Sequence, residues 1–310
     1  MKIGYFADGP WAHKALEKII SSNLFEILYI VPRYDTQDSI LKNWASKLKI
    51  PFLPISNINS SDSINILKNY SADLMVSMSF NQILKKEIIN LSKYGFINCH
   101  AGALPFYRGR NPLNWALIND EPFFGITVHF VDEGIDTGDI IEQEHFSIDD
   151  TDNYQSILLR AIEECANVLF RALIKIKNNN YEAIAQHSIH PIGSYYGMRK
   201  RGDEVLDLRW NARKIFNFIR GISYPGPCAR IWLEKEEFAI GCCSLIENAP
   251  AYISTIGEIV KKDDNGIIVK VGDGTILLSS IKKVNGDELV DYSNKNFRIG
   301  MRFDLRMNRI

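Results

Sequence analysis

Apolar positions in the first half of the chain come in short runs, separated by stretches with helical spacing. Lys2–Ala7 is one such run, and Pro10–Ile20 follows it with Trp11, Ala15, Leu16 and Ile19 on one helical face. Phe25–Val31 is almost continuously apolar, as expected of a strand buried on both faces. Ile40, Leu41, Trp44, Ala45 and Leu48 mark a second helix, ahead of a short apolar run at Pro51–Ile55. Asp73–Met78 and Gly95–Cys99 read as further buried strands, with a helix at Lys85–Leu91 between them. This alternation predicts an α/β domain with a mostly parallel sheet and helices on both faces.

Gly125–Val131 alternates apolar and polar residues, and Asp139–Glu144 does so more weakly across a Gly/Asp-rich turn, a strand–loop–strand pattern. A long amphipathic helix is expected over Asp152–Lys177, with Thr151 as its cap and Tyr154, Ile157, Leu158, Ile162, Cys165, Leu169, Leu173 and Ile176 as its stripe. Beyond about residue 190 the texture changes. One helix at Ala212–Ile219 precedes short strand signals at Ala229–Leu233, Phe238–Cys242, Thr255–Lys261, Gly266–Val271 and Thr275–Ile281. Those strands, with turns every ten residues or so, predict a smaller β-rich domain, a barrel or sandwich. We therefore expect two domains, 1–190 and 191–310.

Length agrees with that division, since 310 residues at roughly 150 per domain suggest two. Lys+Arg total 36 and Asp+Glu 37, a formal net charge of −1 that gives no global field to gather a polyanion and disfavours a general nucleic-acid binder. The sequence has no apolar stretch long enough to span a membrane, and the polar turn at Asp8 comes too early for a signal peptide. The five cysteines form no Cys-x-x-Cys pair, so neither a zinc ribbon nor a disulfide frame is indicated; no metal is expected. The simplest setting is a reducing cytoplasm. Gly-x-Gly-x-x-Gly is missing after the first strand, so a dinucleotide cofactor is not supported.

Asn98 and His100 lie two apart at the end of a buried strand, so both side chains face the same way if the strand persists to His100. The carboxyl ends of strands are where open α/β sheets bind ligands. Asp136, in the loop Gly134–Asp139, could close onto the same edge. An amide, an imidazole and a carboxylate suit acyl transfer to an amine: the first two stabilise an oxyanion, the imidazole moves a proton, and the carboxylate orients it. The same residues also fit a bland reading, with Asn-x-His as a hydrogen-bonded strand end and Asp136 as a turn residue.

Phe96–Asn114, followed by Gly125-Ile126-Thr127-Val128-His129 and Gly134–Asp139, resembles the formyltransferase family. Its members take a formyl group from N10-formyltetrahydrofolate and include glycinamide ribonucleotide, methionyl-tRNA and nucleotide-sugar formyltransferases. The resemblance spans most of residues 1–180 and implies a Rossmann-like catalytic domain with Asn98, His100 and Asp136 as the triad. Residues 195–310 resemble, more loosely, the small OB-like C-terminal barrel of the methionyl-tRNA and amino-arabinose branches, through Asp203–Asp207 and Tyr224-Pro225-Gly226. The folate co-substrate is then expected against Ser79, Phe80, Ile83, Leu104, Val131, Asp132 and Glu133. His129 and Trp11 are read as structural.

Methionyl-tRNA members of the family carry a long basic insertion after the second strand, whereas Pro32–Asp38 is short here and has at least as many acids as bases. Tyr107–Trp115 resembles instead the sugar-modifying branch. The expected acceptor is the amine of a nucleotide-linked amino sugar, of the kind used in lipopolysaccharide O-antigen synthesis. Gly102, Arg108, Arg110, Tyr195, Arg199 and Lys200 are its candidate contacts, the cations for a pyrophosphate. Arg199–Arg201 also fits a solvated basic turn, and Tyr195 a packing role. A methionyl-tRNA formyltransferase and a catalytically silent folate- or nucleotide-binding module are the rival readings. For the C-terminal domain, a homodimer contact and a cap over the substrate both remain open.

Overall fold

A computed structural model of the chain describes residues Met1–Leu305. Its elements run β1 (Lys2–Ala7), α1 (Gly9–Ser21), β2 (Glu26–Pro32), α2 (Ser39–Leu48), α3 (Ser61–Lys68), β3 (Leu74–Met78), α4 (Lys86–Ile89), β4 (Phe96–His100), β5 (Arg108–Gly109), α5 (Pro112–Ile118), β6 (Phe123–Phe130), β7 (Ile140–Ser147), α6 (Tyr154–Lys177), α7 (Gln186–Ile189) and β8 (Tyr195–Tyr196). They continue with α8 (Ala212–Ile222), β9 (Ala229–Leu233), β10 (Glu236–Leu245), β11 (Ile259–Asp263), β12 (Gly266–Lys270), β13 (Thr275–Asn285) and β14 (Glu288–Asp291). The chain forms two compact units. The first holds 1–112, 123–147 and 159–197; the second holds 113–122, 148–158 and everything from 198 onward.

In the first unit one sheet has the order β2-β1-β3-β4-β6-β7. Its first four strands are parallel, while β6 runs antiparallel to β4 and β7 antiparallel to β6. The strands leave β1 in opposite directions across the sheet, so a crevice opens outside the carboxyl ends of β1 and β3. One face buries Phe6, Tyr29, Leu67, Met75, Ile88 and Phe96 together. Helix α6 buries Ile157, Ala161, Cys165, Leu169, Leu173 and Ile176, steps of three and four that explain why its stripe was readable.

Three local features go beyond the sequence pattern or against it. Pro51–Ile55 adds no strand: Phe52 makes a single bridge to Ile30, and Pro51 and Pro54 have no N–H to give a ladder. Helix α3, unforeseen, buries only Ser63 and Leu67, so its apolar stripe is faint; Ser60 caps it, its hydroxyl accepting from the Ser63 N–H at 3.2 Å. Thr151 does not cap α6. Asn153 Oδ1 accepts from the Ser156 N–H at 3.1 Å and the Asn153 N–H donates to Ser156 Oγ at 3.1 Å, a reciprocal cap.

The second unit is an antiparallel sheet, β11-β12-β13-β10-β9 with β14 on β13. Its edges are stitched by one segment: Ile259 N–H donates to Met301 O at 2.8 Å, Phe303 N–H to Gly257 O at 3.0 Å, and Asp304 N–H to Trp232 O at 2.8 Å. That closes the strands into a barrel and leaves no long open edge. Ile215, Ile219 and Ile222 of α8 join Ile240, Val269, Ile276 and Leu278 in its core. Replacing Asn153 by Ala should cost about 1 kcal/mol of unfolding free energy. A denaturant titration checks this, and a variant as stable as the parent would place the cap elsewhere.

Candidate active site

Strand β4 persists through His100, so Asn98 and His100 do share a face. Antiparallel pairing sets Asn98 opposite His129 and His100 opposite Thr127. Cross-strand partners on one face are neighbours, and Asn98 Nδ2 lies 3.3 Å from His129 Nε2. The His129 Nδ1–H donates to Phe130 O at 2.7 Å; in the neutral ring Nε2 accepts from the Asn98 amide, and in the protonated ring it turns a hydrogen toward Asp136.

Asp136 arrives from the β6–β7 loop with a left-handed backbone, φ 54°. Its Oδ2 accepts from the Gly109 N–H at 2.9 Å and stands 3.7 Å from His100 Nδ1; its Oδ1 stands 3.6 Å from His129 Nε2. Burial pushes this carboxyl up, but His100, His129 and the Gly109 N–H outweigh burial and hold it well below the usual carboxylate range. The His100 Nε2–H donates to Tyr107 O at 2.7 Å. A Cβ on Gly102 would lie 2.7 Å from His100 Nε2 and 2.8 Å from Tyr107 O, so only glycine leaves room for that ring.

The loop after β4 is pinned from beneath. Thr127 Oγ1 donates to Gly102 O at 2.7 Å, and the Gln143 side-chain amide donates to Leu104 O at 2.8 Å and to Thr127 Oγ1 at 2.7 Å. Leu104 is itself buried.

The residues expected around a folate fall into three groups. Ser79 has a left-handed backbone, φ 63°, at the end of β3, and its carbonyl and hydroxyl accept from Arg33 Nε and Nη2 at 2.7 and 2.9 Å. Phe80 and Val131 pack against one apolar cluster, Phe80 edge-on to Phe6, while Ile83 is exposed to solvent. Asp132 Oδ1 accepts from the Gly134 N–H at 3.0 Å and Thr137 Oγ1 at 2.6 Å, shaping its own loop, and Glu133 is exposed.

The expected acceptor contacts diverge. Arg108 is committed internally: Nε and Nη2 donate to Gln186 Oε1 at 3.0 and 2.7 Å, and Nη1 to Ile192 O at 3.0 Å. Arg110 and Tyr195 are exposed, on strand β5's exit and on β8. Arg199 and Lys200 belong to the second unit, where Arg199 Nη2 lies 3.4 Å from Asp203 O and the Lys200 N–H donates to Asp203 Oδ2 at 2.6 Å.

Residues 1–173 match the family described as Formyl transferase, and residues 199–293 match Formyl transferase, C-terminal domain. The chain belongs to the formyltransferase family. Among its relatives, the methionyl-tRNA formyltransferase of Fusobacterium nucleatum subsp. nucleatum is 32% identical over 309 residues, covering 96% of this chain and 97% of the relative. That of Pelotomaculum thermopropionicum is 33% identical over 242 residues, covering 78% and 76%. Among solved structures, WlaRD, a sugar 3N-formyl transferase in the presence of dTDP and 5-N-formyl-THF, aligns with a TM-score of 0.69 at 24% identity over 92% of this chain and 98% of that one. The N-formyltransferase of Helicobacter canadensis, in complex with folinic acid and dTDP-3-aminofucose, aligns with a TM-score of 0.66 at 21% identity over 91% and 99%. At those identities the likeness is one of fold.

The protein is thus a formyltransferase, an enzyme. Among the described residues no His, Cys, Asp and Glu group is arranged to hold a metal ion, and no helix is long and apolar enough to cross a membrane.

His129 is the member of this formyltransferase's polar cluster that sequence reasoning set aside as structural. Its alternation with apolar neighbours was visible, but the register that faces it to Asn98 was not. Nothing in the sequence signalled the hydrogen-bonding roles of Thr127, Gln143 and Arg33.

Asp136 yields a pH prediction. A depressed carboxyl adds stability that is complete above the ordinary aspartate value and is lost as pH falls through the depressed one. Asp136→Asn should therefore cost stability at neutral pH and converge on the parent in strong acid. Unfolding curves at several pH values check this, and a pH-independent difference would sink it.

Proposed function

We propose that this formyltransferase moves the formyl group of N10-formyltetrahydrofolate to the primary amine of a nucleotide-linked amino sugar, with Asn98, His100 and Asp136 as its catalytic residues. The acceptor nitrogen forms a bond to the formyl carbon, and the carbonyl electrons move to oxygen. Asn98 Nδ2 donates one hydrogen toward His129; its other N–H meets the oxyanion. Once the reacting groups displace Tyr107 O, His100 takes the tautomer with its hydrogen on Nδ1 toward Asp136, and the freed Nε2 lone pair accepts the amine proton and passes it to N10 as the carbon–N10 bond breaks and the C=O re-forms. Asp136 stays ionised throughout and stabilises the imidazolium. The pterin is assigned to the β1–β3 crevice, between the Arg33-held Ser79 turn and the apolar surface of Phe80 and Val131.

The acceptor class rests on one observation, the state of the segment between β2 and α2. Arg33 is its basic residue and is tied to Ser79, with Asp8 at 3.6 Å. Asp38 accepts from Ile40, Leu41 and Gly9 N–H groups and sits 2.7 Å from His13 Nε2. A tRNA is gripped largely through Lys/Arg contacts to phosphates, and this segment has no cation left for them. The 32% identity to a methionyl-tRNA formyltransferase along nearly its whole length favours the second reading, an aminoacyl-tRNA acceptor.

Purified protein, N10-formyltetrahydrofolate and a panel of UDP-, GDP- and dTDP-linked amino sugars, alongside methionyl-tRNA, separates the two by mass. A gain of one CO on a sugar nucleotide is expected; a gain confined to methionyl-tRNA would overturn the sugar assignment. In the same assay Asn98→Ala should lower kcat by about 10²- to 10³-fold while folate still binds, as for loss of one oxyanion donor. Near-normal turnover would remove Asn98 from the mechanism.

A further inference from the structure

We infer that Gln186 is a positioning residue for the reaction, a buried amide clamp that holds Asp136 at its working distance from His100. The inference rests on the reading that Asp136 and His100 carry formyl transfer.

Gln186 opens the short helix α7 and is 2% exposed. Its Nε2 donates to Asp136 O at 2.9 Å and to Gly138 O at 2.7 Å. Its Oε1 accepts from Arg108 Nε at 3.0 Å and Nη2 at 2.7 Å. A primary amide has two donor hydrogens and two acceptor lone pairs, and all four are used. The orientation has no alternative: turned over, the amide would set its oxygen against two carbonyls and its NH₂ against a guanidinium. A glutamate there would lack both donors, and a lysine would lack the acceptor.

Both halves of what the amide grips bear on one carboxylate. On one side it takes the backbone carbonyl of Asp136 itself, a residue held at φ 54°. On the other it fixes Arg108, whose neighbour Gly109 supplies the N–H to Asp136 Oδ2 at 2.9 Å. Tyr107, next along, accepts from His100 at 2.7 Å. Gly138 lies so close to β6 that a Cβ would come 1.9 Å from Phe130 O, so the loop has no slack on that face. Removing the Gln186 donors frees two carbonyls of this loop at once and loosens the distance between Asp136 and His100. Arg108, expected from the sequence to meet a pyrophosphate, is on this account one arm of the clamp.

Two near-isosteric variants test it. Gln186→Glu keeps an acceptor for Arg108 but turns an oxygen on the carbonyls of Asp136 and Gly138; Gln186→Met removes both sets of bonds. Both should lower kcat by about 10- to 100-fold, as displacements on the order of an ångström do, with KM for the formyl donor unchanged within a few-fold. A residue that only stabilised the fold would lower the melting temperature and the active fraction but leave the Asp136 carboxyl as it is in the folded enzyme. Asp136 should instead protonate nearer the ordinary aspartate range in both variants, followed by NMR of its carboxyl carbon, because His100 and the Gly109 N–H are no longer held near it. Wild-type kcat together with an unmoved Asp136 carboxyl in a folded variant would overturn the clamp. The NMR arm needs no acceptor, so a wild-type enzyme inactive on every amine would end the functional reading and leave the clamp to be judged on its own. Should either variant fail to fold, Arg108→Lys breaks the same fork from its other end, with the same two readouts expected.

Discussion

The Asp136 carboxylate sits where burial alone would drive it to protonate, and two imidazoles and one backbone N–H keep it charged. Most of the local architecture follows from having to hold those partners around it. The loop must turn through a left-handed residue to present the side chain. Strand β6 must pair antiparallel with β4 so that His129 comes level with Asn98. The chain after β4 must fold back tightly enough for Gly109 to donate to the carboxylate, which demands glycine at 102 beneath the His100 ring. A charge placed this way acts in a low-dielectric setting, where it is worth more to a neighbouring imidazolium than it would be in water.

Around this centre the polar side chains of the crevice are largely committed to one another. Arg33 holds Ser79, Asp38 ties α2 to the start of α1 through Gly9 and His13, and Arg108 rests on Gln186. Charged residues that look like ligand contacts in a sequence thus serve to fix loops, the preorganisation that lets an oxyanion be met without reorganising the site. This also bears on the acceptor. Relatives that share about a third of their residues with this chain act on methionyl-tRNA, while the fold overlays sugar N-formyltransferases. Identity along the chain does not by itself name the acceptor, because phosphate contacts come from individual cations, and Arg33 is already committed to Ser79.

Strands β1 to β4 and helix α6 were legible because they bury continuous runs or stripes whose period reports their geometry directly. Asn98 and His100 were legible for the same reason: a period of two places them on one face whatever the neighbours do. Helix α3 was not, since only two of its residues are buried, and the apolar Pro51–Ile55 run forms no strand because apolar content alone does not supply ladder donors. Closure of the second unit's barrel by the segment around Met301–Asp304 depends on hydrogen bonds between edges distant in the chain, which no local pattern encodes.

Local periodicity and short motifs carry the alternating α/β frame, the β-rich unit after it, the Asn98/His100 face and the family. That His129 joins that face, that Arg108 turns inward and that Gln186 lies beneath the Asp136 loop emerges only in the folded chain. Those facts depend on strand register and on contacts across 31 to 78 residues of chain. Interactions of that range leave no spacing to read: each residue there looks like an ordinary polar side chain until the fold brings its partner within hydrogen-bond reach.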